Sequence, residues 1–254
     1  LQQLTNAGIF SEVGLLEQQA HDLNPGFIQR MKTGRPYVRC KLAMSLDGRT
    51  AMADGESKWI TSELSRADVH RLRARSSAIV TGAGTVLADD PSMTARLVEQ
   101  ETEVKQPLRI IIDTNLSTPV GAKILKQPGE TYVLTISEDD DTKELLENSG
   151  AKVEVLSVTN GQVNLHAVME FLRDLNVNEV LLETGATLSG AMLEAKLIDE
   201  LIVYMAPSIM GDNARGLFHL PHLNAMSNKI SLSLLDVRQF GSDIRLRYTT
   251  NYHP

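Results

Sequence analysis

One cysteine, Cys40, in 254 residues excludes an internal disulfide and a Cys-rich zinc site, including the P-C-x-x-C arrangement of nucleobase deaminases. No stretch approaches the roughly 20 apolar residues of a membrane span or the layout of a signal peptide, so no membrane partner is expected and the cytoplasm is the expected location. Basic residues are scattered and outnumbered, 25 Lys and Arg against 32 Asp and Glu for a net charge of −7. A nucleic-acid partner is therefore not expected, and an anionic ligand must be held by a local site. His70, His166, His219 and His222 lack zincin spacing, so no metal is assigned, and without a G-x-S-x-G motif a serine hydrolase has no anchor. Neither the dinucleotide fingerprint G-x-G-x-x-G nor the phosphate loop G-x-x-x-x-G-K-[ST] occurs.

What is present is enough apolar residue, 42%, to bury a substantial core. Residues 1–35 read as a short strand, a polar helix and a turn, closed by Gly34, Arg35 and Pro36. They are too few to bury a core and read as the remnant or linker of an upstream domain. An opening Leu in place of Met fits the same reading. Residues 36–254 read as the functional domain. Apolar β-rich runs at 37–45, 78–82, 108–113, 131–137, 152–158, 179–183 and 200–207 are mostly separated by segments with helical spacing, such as 62–76 and 165–175. That alternation predicts an α/β fold, a mixed and mostly parallel sheet flanked by helices. "ISLSLLDVRQF" and "IRLRYTT" around Gly241 predict a C-terminal antiparallel hairpin. The acidic run from Glu138 to Asp141 reads as a solvated loop.

Four segments are candidates for chemistry. In "YVRCKLAMS" strand alternation sends Val38, Cys40, Leu42 and Met44 to one face and Arg39, Lys41, Ala43 and Ser45 to the other. In "LLETGATLSGAML" a strand ends at Glu183 and a helix follows that Thr187 or Ser189 could cap. Gly185 and Gly190 there either admit a phosphate to a helix N-terminus or merely allow a tight turn and close helix packing. Glu183 weighs toward a ligand, because open α/β sheets present contacting groups at the carboxyl ends of their strands. In "RLRAR" Arg71 and Arg75 share a helix face that reads as solvated, while Arg73 lies about 200° from Arg71. Arg73 and the loop residue Arg96 are the better phosphate-gripping candidates. "AIVTGAG" offers only a lone G-x-G, for which a plain strand-to-helix turn is the default.

Taken in order and spacing, "KLAMSLDGRTAMADGESKWIT", "AIVTGAGTVLADDPSMTAR", "QPLRIIIDT" and "LLETGATLSGAML" resemble the reductase domain of the bifunctional deaminase-reductase of riboflavin biosynthesis, over about residues 36–254. The resemblance implies a dihydrofolate-reductase-like fold, a homodimer, and NADPH-dependent reduction of the ribose of 5-amino-6-(5-phosphoribosylamino)uracil to the ribitylamino product, without the deaminase activity. It implies cofactor contacts at Ala43, Trp59, Thr85, Asp89 and Thr114 and at the loop Gly185, Ala186, Thr187, Leu188, Ser189, Gly190 and Ala191. It places substrate contacts at Ser57, Arg73, Met93, Arg96 and Glu183.

Lys41 is the expected group to polarise or protonate the reacting end, and Glu183 to bind the uracil ring or relay a proton. Competing readings are a dihydrofolate-reductase-like enzyme acting on another pterin or pyrimidine, and a nucleotide-binding module without turnover.

Overall fold

The computed structural model describes residues 1–97 and 104–252. Three short helices come first: α1 (Gln2–Asn6), α2 (Glu17–Leu23) and α3 (Pro25–Thr33). The body continues with β1 (Tyr37–Ser45), β2 (Arg49–Ala51), α4 (Glu63–Arg75), β3 (Ala78–Gly82), α5 (Ala83–Asp89), β4 (Leu108–Ile112), β5 (Thr131–Thr135) and α6 (Asp140–Asn148). It closes with β6 (Ala151–Val155), β7 (Val158–Thr159), β8 (Gln162–Val163), α7 (Leu165–Asp174), β9 (Glu179–Leu182), α8 (Ala186–Glu194), β10 (Glu200–Ala206), β11 (Arg215–Gly216), β12 (Leu232–Phe240) and β13 (Asp243–Thr250).

The main sheet has nine strands in the order β12-β13-β10-β1-β9-β3-β4-β5-β6. Every pairing from β10 to β6 is parallel, while β13 joins β10 antiparallel and pairs with β12 as the expected hairpin. Strand alternation sorts the core into two layers. Val38, Cys40, Leu42, Val80, Ile110 and Leu182 pack with Val168, Met169 and Leu172 of α7 and Met192 of α8. Ile79, Ile111, Leu181, Ile202 and Tyr204 pack on the opposite face with Val69 and Leu72 of α4 and Val86 of α5. Each fully buried aliphatic side chain contributes about 1.5–3 kcal/mol, so both layers are needed to hold a sheet this wide. Lys41 has the parity of Arg39, and therefore lies on the α4 side, away from the Val38 and Leu42 layer.

Two local expectations are corrected. No strand occurs among residues 1–35; the lead-in carries three short helices and joins no sheet. The acidic run is not a loop throughout: Asp139 caps α6 by accepting from the Thr142 N–H, and Asp140 and Asp141 occupy its first turn, where the helix dipole favours negative charge.

Helix α3 is fastened to the body. Gln29 and Arg35 donate to Asp199, Arg30 donates to the Asn178 side chain at 2.7 Å, and a Cβ on Gly26 would collide with Glu179 and the Asn178 carbonyl.

Candidate active site

The parallel strands bring their carboxyl ends to one edge, and the candidate residues collect there. Cys40 of β1 pairs with Leu182 of β9, so the next residues along, Lys41 and Glu183, come level on the α4 face. Arg73, on the last turn of α4, reaches the same point. Its Nε and Nη2 donate to the two Glu183 carboxylate oxygens at 2.6 and 2.9 Å, a two-pronged pairing that suits both planar groups. Burial pulls the Glu183 acid upward in pKa, but the Arg73 charge and hydrogen bonds outweigh it, aided by Lys41, and the carboxylate is held below its ordinary range.

Lys41 is placed differently. Among the described residues its ammonium makes no hydrogen bond or ion pair within 4 Å. Burial lowers its pKa, the Glu183 charge opposes that shift, Arg73 adds to it, and the net result lies below the ordinary lysine value. Two cations thus share one buried carboxylate, which leaves a positive excess in a site half closed to water. Such a site favours an anionic or electron-rich ligand, and its lysine releases a proton more readily than an ordinary one.

Arg73 also binds the chain that walls the site. Its Nη1 donates to the Thr94 carbonyl at 3.1 Å, and its Nη2 touches the Met93 sulfur at 3.8 Å. Met93 is buried and adopts a left-handed backbone with φ of 49°, a conformation costly for a non-glycine residue. Gln106 fixes Ala95, two residues on, exchanging two hydrogen bonds of 2.9 and 3.0 Å with its backbone. Arg96 follows, exposed, with its Nη2 at 3.3 Å from His70 Nε2. The expected arginine pair therefore divides: the Arg73 fork closes on Glu183, whereas the Arg96 guanidinium faces solvent.

A second group forms where two strand-to-helix turns meet. β3 and β9 are neighbours, and their turns enter α5 at Gly82 and α8 at Gly185. Neither helix has a side-chain cap, which corrects the expectation that Thr187 or Ser189 caps α8, so its first-turn N–H groups are left for another acceptor. A Cβ on Gly185 would meet nothing within 4 Å, whereas one on Gly190 would collide with the His219 backbone. The open reading thus fits Gly185 and the packing reading fits Gly190. Ser189 is buried too, its hydroxyl 3.7 Å from the Cys40 sulfur, while Thr187 is exposed and Ala186, Leu188 and Ala191 are half-buried.

The remaining candidates lie on β1, α5 and the loops after β2 and β4. Trp59 is 71% exposed and lies 4.5 Å from the Arg66 guanidinium. Lys58 ties its loop to Asp89 by a 3.6 Å ion pair, and Thr85 lies on the same helix, α5. Ala43 lies two residues beyond Lys41 on β1, and Thr114 follows β4, donating to Gln162 of β8 at 2.9 Å. Ser57 is half-buried in the 52–61 loop. Among the described residues no group of three His, Cys, Asp or Glu could hold a metal ion, and no helix is long and apolar enough to cross a membrane. His70, which the sequence offers only as a histidine without metal-ligand spacing, joins the site; its three-residue spacing from Arg73 on α4 was the available signal.

An α/β sheet with an uncapped helix N-terminus beside a Lys–Glu–Arg cluster has the layout of enzymes that bind their ligands at the carboxyl edge of the strands. The chain belongs to the RibD C-terminal domain family, whose pattern matches residues 36–246, and it is a reductase domain of the riboflavin-biosynthesis proteins. It is 43% identical to the riboflavin biosynthesis protein RibD of Escherichia coli over 256 residues, 97% of this chain and 68% of that one. The solved structure of Acinetobacter baumannii RibD superposes with a TM-score of 0.86 at 42% identity, covering 98% of this chain and 67% of that chain. That of a Thermotoga maritima diaminohydroxyphosphoribosylaminopyrimidine deaminase/5-amino-6-(5-phosphoribosylamino)uracil reductase superposes with a TM-score of 0.82 at 27% identity, covering 98% and 66%. The family and the mixed sheet are those expected from the motifs.

Proposed function

We propose that this chain reduces the ribose of 5-amino-6-(5-phosphoribosylamino)uracil at C1, with NADPH as reductant, to the ribitylamino compound. The observation that carries the reading is the Lys41–Glu183–Arg73 cluster at the carboxyl edge of the parallel sheet, within a chain of the RibD reductase family.

Glu183, held ionised by Arg73, accepts hydrogen bonds, which suits the N–H groups of a uracil ring better than a proton relay does. Lys41, with its lowered pKa, polarises the open-chain imine nitrogen and gives it a proton as C1 is reduced. Met93 and Ser57 line the approach to the ring and sugar, and Arg96 pairs with the 5-phosphate. The residues fit a dinucleotide phosphate: the uncapped α8 turn at Gly185 leaves room and N–H donors for an anion, with Thr187 and Leu188 beside it and Ser189, Gly190 and Ala191 supporting the turn from behind. Ala43, Trp59, Thr85, Asp89 and Thr114 are read as further contacts of the same cofactor. When bound, the nicotinamide supplies hydride.

Residues 1–35 are read as the segment leading from an upstream domain, and 36–254 as the reductase domain. A homodimer is supported by β12, an edge strand whose Leu234, Leu235 and Val237 are half exposed or more. A cytoplasmic location suits both the cofactor and the substrate.

The test is a single-turnover assay that mixes the protein with NADPH and the phosphoribosylaminouracil and follows nicotinamide absorbance, with NADH and the dephosphorylated substrate run in parallel. Oxidation of NADPH only with the phosphorylated compound is the expected result. Binding of NADPH without oxidation refutes the reductase reading.

A further inference from the structure

His70 is the one group at the site whose two ring nitrogens are both engaged by the substrate-side wall. Nδ1 lies 3.2 Å from the Thr94 carbonyl and Nε2 lies 3.3 Å from Arg96 Nη2. A carbonyl cannot donate and a guanidinium cannot accept, so the partners themselves fix the ring as neutral, with the proton on Nδ1 and the lone pair on Nε2. Arg73, one turn further along α4, holds the same Thr94 carbonyl. The helix thus grips this turn twice, and through His70 it reaches the arginine beyond.

We propose that neutral His70 is a positioning residue that aims Arg96 at the substrate phosphate, and that its protonation releases that arginine. This rests on the reading of Arg96 as the phosphate-pairing group. A free arginine side chain populates many rotamers, and a fixed acceptor at Nε2 removes part of that freedom before ligand arrives. Protonation puts an N–H where the lone pair was and sets two cations against each other. The charged groups facing the ring are Arg73 on its own helix, Arg96 on the facing turn and Glu183 beyond β9. Burial and the two arginines lower the imidazole pKa below its ordinary 6.5, against the pull of the Thr94 carbonyl and Glu183. The aiming contact therefore holds at neutral pH and is lost as pH falls through that lowered value.

Two variants separate the two nitrogens. His70→Asn keeps a donor for Thr94 but removes the acceptor for Arg96; His70→Gln places a non-titrating acceptor near the Nε2 position. Steady-state KM and kcat for the phosphorylated substrate are measured from pH 5 to 8, beside Arg96→Ala. His70→Asn is expected to raise KM about fivefold with kcat within about twofold, the loss of one charge-assisted hydrogen bond's aim. His70→Gln is expected to restore KM at neutral pH and to lack the acid rise attributed to His70. The substrate phosphate titrates near pH 6 in every variant, so the difference between profiles reports the ring. A raised KM in Arg96→Ala with near-normal KM in His70→Asn, or an unchanged acid rise in His70→Gln, overturns the proposal while sparing the phosphate reading. An unchanged KM in Arg96→Ala overturns both. Should both His70 variants misfold, comparing wild-type and Arg96→Ala acid profiles decides, since the His70 component must vanish with Arg96.

Discussion

Two ion clusters stand two residues apart on the same face of β1, and they are built to opposite rules. Arg39, 3% exposed, lies between Glu179 and Glu200, with Arg247 on the far oxygen of Glu200 at 2.6 Å and the Tyr37 hydroxyl donating to the same carboxylate. Buried anions and cations there answer one another. At Lys41 a single carboxylate serves two cations, and the ammonium has no partner within 4 Å among the described residues. Good geometry and full pairing repay the cost of desolvating charge; partial pairing does not, and persists where a ligand is to complete it. On the proposed reading the first cluster serves the stability of the strand and the second its chemistry.

The sharpest test of that contrast is Lys41→Met, expected to cut turnover at least a hundredfold, the usual scale for a proton-transfer group, while leaving the melting temperature unchanged or higher. Near-normal turnover breaks the contrast outright. Arg39→Met should do the reverse. It leaves Glu179 with only the half-exposed Arg75 at 4.0 Å and Glu200 with Arg247 and the Tyr37 hydroxyl, and denaturant unfolding should show a loss of about 3–5 kcal/mol, with turnover per folded molecule within about threefold of wild type. A smaller effect follows from linkage. The folded-state pKa of Lys41 lies below its ordinary 10.5, so between the two values the unfolded chain binds more protons and stability rises with pH. The gap between Lys41→Met and wild type should therefore be widest at neutral pH and close as pH approaches 10.5, as read by urea unfolding across that range.

How much of this contrast was legible beforehand depends on sequence distance. Alternation in "YVRCKLAMS" assigned Lys41 its face, and the strand end assigned Glu183 its edge, because both follow from the period of two. Helical spacing singled out Arg73. Nothing local could show that its fork closes on a carboxylate 110 residues away, nor that His70 bridges a carbonyl and a guanidinium 24 and 26 residues downstream. The two readings of Gly185 and Gly190 separated only when the His219 chain was seen lying against Gly190. The lead-in misled for the same reason: a β-like apolar run becomes a strand only when a partner strand offers its edge, and its apolar side chains, such as Phe10 and Leu15, remain exposed.

Arg75 provides the mildest test, because it belongs to the paired cluster by position but not by burial. Its Nε lies 4.0 Å from a Glu179 oxygen that Arg39 already holds, and its side chain is half exposed. Burial and the nearby Arg39 charge lower its pKa, with Glu179 pulling the other way, so the added cation is only partly compensated. An exposed partner to a carboxylate already satisfied contributes little, because water and salt screen it and its side chain loses entropy when held. Arg75→Ala should therefore change unfolding free energy by about 0.5 kcal/mol or less, with turnover untouched. A loss approaching that of Arg39→Met would show that Arg39 alone does not balance Glu179, and the distinction between a saturated cluster and an unsaturated one would then need a third cation on the saturated side.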